Sequence, residues 1–300
     1  MSQDIVLSVK NLSVVFHTPD GDVSAVNDVS FELHSGETLG IVGESGSGKS
    51  VTASSLMRLN NSSTASTNGS IVVSGVDILT ASEDEVRHLR GSEVAMIFQD
   101  PLSALNPYYT VGKQIAEAYL VHHPEASKTD ARRITLEMLK KVGIPNPEKR
   151  IDEYPHQFSG GMRQRIVIAI ALINNPKVLI ADEPTTALDV TVQKEVLNLI
   201  RQLVAEDGMG LLLISHDLGL MRDQVDRVMV MYGGAVVESA STEALFNQRA
   251  HPYTQGLFAA RPSLGLKRGT RLQTIPGNVP DIFNWPSGCA FADRCRGERL

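Results

Sequence analysis

The run Gly43-Glu44-Ser45-Gly46-Ser47-Gly48-Lys49-Ser50 has the spacing G-x-x-x-x-G-K-[ST]. Each residue type in it suits one task. Glycines let consecutive backbone N–H groups turn inward and form an anion nest. A helix opening directly after the nest points its positive end at the same spot. Lys49 carries a mobile positive charge for the outer phosphates of a nucleotide, and the Ser50 hydroxyl can ligate Mg²⁺. An ordinary glycine turn is the plain alternative. The flanks argue against it: residues 38–42 are a short apolar run suited to a buried strand, and residues 50–59 have helical character. The spacing is not G-x-G-x-x-G, which disfavours a dinucleotide-dependent oxidoreductase.

Phosphate chemistry also needs a carboxylate for the metal at the end of another core strand. Val178-Leu179-Ile180-Ala181-Asp182-Glu183 supplies one. Asp182 closes the apolar run and can hold Mg²⁺ directly or through water. Glu183 can polarise a water for attack on the γ-phosphate. A strand that merely ends in solvated acids is common, and only the pairing with the glycine loop gives these two weight.

A third segment, Phe158-Ser159-Gly160-Gly161-Met162, precedes the apolar stretch Ile166-Val167-Ile168-Ala169. It reads as a helix N-terminus with a hydroxyl cap. Lying upstream of Asp182, it resembles the signature motif of ABC ATPases, usually Leu-Ser-Gly-Gly-Gln. Here Phe158 replaces the Leu and Met162 the Gln. The resemblance spans residues 16 to 216 and implies further roles. Gly43, Glu44, Ser45, Gly46, Ser47, Gly48, Lys49, Ser50, Val51 and Gln99 would bind ATP, with Phe16 stacking on adenine. Ser50, Gln99 and Asp182 would hold Mg²⁺. Glu183 and His216 would be catalytic, and Asp189 would belong to the D-loop. Ser159, Gly160, Gly161 and Met162 would act in trans, on the nucleotide held by a second protomer. A lone His is usually structural and a lone Phe in a strand is usually core. His216 gains from its neighbours, Ile214-Ser215-His216-Asp217.

Three more segments narrow the resemblance: Gln99 to Pro107, His251-Pro252-Tyr253-Thr254-Gln255-Gly256-Leu257, and Gly288 to Cys295. They look like the ATP-binding subunits of bacterial ABC importers of the dipeptide/oligopeptide family. His251-Pro252-Tyr253 also reads simply as a helix start, since Pro suits the first turn. The resemblance implies a second homologous ATPase subunit, as heterodimer or homodimer, two transmembrane permease subunits, an extracytoplasmic substrate-binding protein, and a peripheral place on the cytoplasmic face of the inner membrane. The resemblance implies a cysteine-rich tail that in related members can hold a [4Fe-4S] cluster, which needs four thiolates. Cys289 and Cys295 are only two, so they read as reduced thiols, unless the chain is truncated or another chain contributes. The cargo stays open between peptides, a nickel chelate, glutathione and other small solutes. Rival readings are an exporter ATPase, a soluble non-transport ABC ATPase and a P-loop GTPase. The chain has no Asn-Lys-x-Asp guanine motif.

The elements around these residues fit. The chain has 300 residues, enough for two domains or one large one, and 42% of them are hydrophobic, which rules out global disorder. Lys and Arg number 28 against 34 Asp and Glu, a net charge of −6, which argues against a nucleic-acid-coating protein. No run reaches the ~18–20 apolar residues of a membrane helix, and the Met-Ser-Gln-Asp start is unlike a signal peptide. The chain is therefore expected to be soluble and cytosolic by itself. Strands are expected over 5–9, 12–16, 29–33, 38–42, 71–73, 94–98, 178–181 and 211–214, with a loop over 60–69. Helices are expected over 110–141, with Ile115, Ala118, Tyr119, Leu136, Leu139 and Val142 inward, and over 192–204. Strand–helix alternation implies an α/β core with parallel strands. The resemblance adds a RecA-like P-loop ATPase core, an antiparallel β subdomain and a helical subdomain at about 100–160. Residues 1–250 are expected to form the ATPase domain. Residues 251–300 would form a loop-rich extension that reads as incomplete, with a linker at 265–269.

Overall fold

In a computed structural model, residues 4–100, 104–186, 188–260, 274–280, 283, 286 and 288–295 are described. Two long strands open it, β1 (Ile5–Thr18) and β2 (Gly21–His34), paired antiparallel. Pro19-Asp20 closes them as a two-residue hairpin. The runs expected at 5–9 and 12–16 are one strand, bent at Asn11. Asn11 takes a left-handed φ of 52°, which Asn tolerates better than most residues, and the register shifts there without the strand ending. β4 (Ala65–Val73) and β5 (Val76–Asp77) complete a four-stranded sheet in the order β2-β1-β4-β5. Residues 65–69, expected as loop, are therefore strand. Ala65, Asn68 and Gly69 are poor strand formers, and pairing of residues 65–68 with Ser13 to Phe16 of β1 overrides this.

The second sheet has six strands in the order β10-β9-β3-β8-β7-β6. β3 (Thr38–Val42), β6 (Val94–Ile97), β7 (Val178–Asp182), β8 (Gly210–Ile214) and β9 (Arg227–Tyr232) run parallel, and β10 (Ala235–Ser241) is antiparallel to β9. Every residue of β3, β7 and β8 is buried, as expected of parallel strands covered on both faces. Alternate residues feed different cores. Ile41, Ile180, Leu212 and Ile214 pack toward Leu7, Leu12 and Val14 of the antiparallel sheet. Leu179, Ala181, Leu211 and Leu213 pack toward Ile166, Ile168, Val196 and Ile200 on the helices Gly160–Leu172 and Val190–Asp207.

The expected 110–141 helix is two, Val111–Leu120 and Lys128–Lys141. Pro124 lacks the amide donor to continue the first, and Ser127 caps the second by accepting from the Asp130 N–H at 3.1 Å. Ile115, Leu139 and Val142 are fully buried, and Ala118, Tyr119 and Leu136 pack beside them. The first core helix is Lys49–Ser55, shorter than the 50–59 expected. Sequence reading missed β9 and β10, although their turn Gly233-Gly234, with φ of 60° and 79°, is a standard hairpin signal. It also missed Glu83–Leu89, whose Ser82/Glu85 capping box was legible. Pro252–Ala259 is the helix that the Pro at its first turn allows. Pro101, Leu102, Ser103, Ala187 and the 265–269 linker lie outside the described residues. Among the described residues no helix is long and apolar enough to cross a membrane.

Candidate functional site

Strand order converts distant sequence segments into neighbours. In β3, β8 and β7 the residues Ile41, Ile214 and Asp182 share one row, and Ile97 of β6 pairs with Ala181. The chain leaving each of these four strands thus emerges at the same edge of the sheet. These are the carboxyl ends, where open α/β sheets bind ligands. From β3 comes the glycine loop, from β6 Gln99, from β7 Glu183 and from β8 His216. All four line one cleft of ≈ 490 Å³, with Ala25, Ser45, Gly46, Ser47, Gly48, Lys49, Ser50 and Val51.

The loop is shaped by close packing. A Cβ on Gly43 would lie 2.2 Å from the Met231 carbonyl oxygen, and one on Gly48, at φ 96°, would lie 2.6 Å from that of Ala25. The β9–β10 turn backs the loop: the Gly234 N–H donates to the Ser47 carbonyl at 3.2 Å. Lys49 is buried and folds back over the loop. Its Nζ donates to the carbonyls of Gly43 at 2.8 Å and Glu44 at 2.9 Å. Burial lowers its pKa, against the opposing pull of the Glu183, Asp182 and Glu44 carboxylates.

Asp182 is buried at the end of β7. Burial raises its carboxyl pKa and the neighbouring Glu183 adds to this, while a hydrogen bond with Ser50 and the charge of Lys49 oppose it. Its Oδ1 is buried and accepts no hydrogen bond among the described residues. A buried acceptor without a donor is costly, and a bound cation would relieve it. A carboxylate, a hydroxyl and the nearby Gln99 side-chain amide form the hard oxygen set that suits Mg²⁺. The residues present therefore fit that ion.

Glu183 is the focus of the cleft. Its φ of 47° is a left-handed conformation that costs a non-glycine residue, held by its N–H donating to the Ile214 carbonyl at 3.0 Å. Its Oε2 accepts from Gln99 Nε2 at 3.2 Å and Thr186 Oγ1 at 3.1 Å, and its Oε1 lies 3.2 Å from His216 Nδ1. A half-buried carboxylate so oriented can take a proton from a water.

Other expected site residues lie elsewhere. Phe16 is half-buried against the antiparallel-sheet core and does not line the cleft, whereas Ala25 of β2 does. Ser159 caps the helix Gly160–Leu172, accepting from the Met162 N–H at 3.4 Å. With Gly160, Gly161, Met162, Leu188 and Asp189 it lines a separate cleft. Asp189 caps the helix Val190–Asp207, accepting from the Thr191 and Val192 N–H groups, each at 3.1 Å. Gly161 is where the two helices touch: a Cβ there would lie 2.6 Å from Val192 Cγ1. Gly161→Ala should therefore cost about 1–3 kcal/mol of stability by overpacking, despite alanine's better helix propensity. Denaturant unfolding at equilibrium reads this directly. Cys289 is exposed and Cys295 half-buried, and both are free thiols. Among the described residues no group of three or more His, Cys, Asp and Glu could hold a metal ion. Sequence reading assigned no role to Tyr253 or Arg294, which contact Glu44.

The chain is similar to known proteins. A family model for ABC transporters matches residues 26–186, and one for the oligopeptide/dipeptide transporter C-terminal region matches residues 237–299. The dipeptide transport ATP-binding protein DppD of Bacillus subtilis (strain 168) is 52% identical over 291 residues, covering 97% of this chain and 86% of that protein. A Brucella abortus (strain 2308) protein, named for ATP binding in peptide import, is 51% identical over 290 residues, covering 97% of this chain and 87% of its own length. The dimeric, post-hydrolysis structure of the ATP-binding cassette MJ0796 bound to ADP and Pi has a TM-score of 0.70 at 26% identity, covering 79% of this chain and 98% of that one. The cbiO1 protein of Clostridium perfringens, part of the ABC transporter complex cbiONQ, has a TM-score of 0.69 at 26% identity, covering 82% of this chain and 92% of that one. The chain belongs to the ABC transporter family, among the members that carry the oligopeptide/dipeptide transporter C-terminal region.

Proposed function

We propose that this chain is the ATP-binding and hydrolysing subunit of a peptide importer, working on the cytoplasmic face of the inner membrane beneath two permease subunits. The observation that carries it is the single cleft in which Lys49, Ser50, Gln99, Glu183 and His216 converge. The C-terminal match at residues 237–299 supports peptides over a nickel chelate or glutathione as cargo. We assign residues 1–250 to the ATPase domain, with a helical subdomain at about 100–160, and residues 251–300 to the extension.

The backbone N–H groups of Gly43 to Val51 cradle the phosphates, and Lys49 turns from the Gly43 and Glu44 carbonyls to the outer phosphates. Ser50, Gln99 and Asp182 would hold Mg²⁺, which would neutralise phosphate charge. Glu183 accepts the proton of the attacking water. His216 lies beside Glu183 and steadies the γ-phosphate. Phe16, near the end of β1, is assigned to the adenine side. Glu44, Ser45 and Ser47 shape the loop.

Ser159, Gly160, Gly161 and Met162 open onto a cleft of their own, with Asp189 at its edge. This separation supports a head-to-tail dimer with a homologous ATPase subunit, each signature helix directing its positive end at its partner's nucleotide. ATP then binds the closed dimer better than the open one, and hydrolysis releases it, the differential affinity that a transport cycle needs. Cys289 and Cys295 are assigned as reduced thiols.

Reconstitution tests the cargo. The ATPase rate of the complex should rise when the substrate-binding protein is loaded with a dipeptide or oligopeptide. Stimulation by a nickel chelate alone would transfer the assignment to that solute.

A further inference from the structure

The C-terminal region reaches the phosphate loop. Arg294, in the short turn Ala292–Arg294, is buried, with its side chain only 5% exposed. Its Nη1 lies 2.8 Å from Glu44 Oε2 and its Nη2 lies 3.3 Å from Oε1, a forked pair between residues 250 positions apart. Its Nε donates to the Pro276 carbonyl at 3.0 Å, and Nη1 also donates to the Tyr232 hydroxyl at 3.3 Å. The backbone N–H of Glu44 donates to the Tyr253 hydroxyl at 2.8 Å. Tyr253 is fully buried, with ring centroids 4.6 Å from Tyr232 and 5.4 Å from Phe291.

Glu44 is thus gripped at two points from the C-terminal side while its carbonyl takes Lys49 Nζ. Burial disfavours charge on Arg294, but the Glu44 and Tyr232 hydrogen bonds outweigh it and raise the guanidinium pKa. Burial pushes the Tyr253 hydroxyl pKa up, so the Glu44 amide meets a neutral oxygen. Glu44 is the only acid in the run Gly43 to Val51. Without a partner, its negative charge would face a polyanion inside the same loop. Removing Arg294, the buried member of the pair, leaves the half-exposed Glu44 carboxylate uncompensated.

We propose that Arg294 and Tyr253 are positioning residues for nucleotide binding: Arg294 cancels the Glu44 charge within the phosphate loop and Tyr253 fixes the Glu44 backbone, so the loop is ready for a triphosphate only while the C-terminal region is docked. This rests on the reading of Gly43 to Val51 as the ATP-binding loop.

Calorimetric titration of the full chain with Mg–ATP tests it. Arg294→Ala should weaken binding roughly tenfold, and more at low salt, because the exposed repulsion is screened by salt. The double variant Arg294→Ala/Glu44→Gln should recover most of that loss, since the uncompensated charge is gone. A purely structural contact predicts neither the salt dependence nor the rescue. Wild-type affinity in Arg294→Ala, or a double variant as weak as the single one, overturns the proposal. Far-UV circular dichroism and a thermal melt establish folding. Should Arg294→Ala fail to fold, Tyr253→Phe decides: it keeps the ring packing, removes one acceptor and should weaken binding about threefold, and unchanged affinity overturns the proposal. Lys49→Ala in the same titration separates the two readings. If it binds ATP as wild type does, the assignment of the loop itself has failed.

Discussion

Glu183→Gln is expected to bind ATP yet turn it over about a thousandfold more slowly, within the ~10²–10⁴-fold that a general base supplies. The substitution keeps the side chain's shape and length. The Glu183 N–H bond to the Ile214 carbonyl is unaffected, and the amide oxygen can still accept from Gln99 and Thr186. What is lost is the capacity to take a proton from the attacking water. In the proposed cycle, where ATP holds the dimer closed and hydrolysis opens it, the variant should also accumulate as a nucleotide-bound dimer. Phosphate release measures the first effect, and size-exclusion chromatography with ATP in the buffer measures the second. Ordinary turnover would remove Glu183 from the role of base and leave His216, 3.2 Å away, as the candidate.

Lys49→Ala is expected to weaken ATP binding by at least about a hundredfold, or about 2.7 kcal/mol, at the scale of lost charge-assisted hydrogen bonds to a phosphate. The effect should be large because Lys49 is buried. A surface lysine is screened by water, whereas the Nζ of Lys49 is buried beside the carboxylates of Asp182 and Glu183. Without the ammonium, a triphosphate would enter a site of net like charge. The free protein should tolerate the change better, because the substitution also removes a desolvated cation. Equilibrium titration with ATP, alongside a thermal melt of the free protein, separates affinity from stability. An unchanged affinity would contradict the placement of the phosphates in this loop.

The phosphate loop, the Asp182-Glu183 pair and the capped signature helix were legible because each is a contiguous run. Glycine permissiveness, a hydroxyl cap and a strand ending in acid act over a few adjacent residues, so local chemistry reveals them. The buried strands at 38–42, 178–181 and 211–214 were legible for the same reason: a short apolar run needs no partner to announce itself. The break at Pro124 and the Gly233-Gly234 hairpin carried local signals too, and were passed over. Strand 65–69 was not legible, since its polar side chains become strand only through pairing with β1.

Amino-acid order alone thus determined which groups could act on a phosphate and which segments would bury themselves. It left open which of those segments would lie side by side. That was settled by the requirement that β3, β7 and β8 be covered on both faces, one by the antiparallel sheet and the other by helices. The same packing lines up four strand ends, so that Gln99, Glu183 and His216 meet at the glycine loop, and it brings Arg294 across the molecule to Glu44. Contacts between residues so far apart carry no trace in any short stretch of chain, because the energy that forms them comes from burial summed over the whole core.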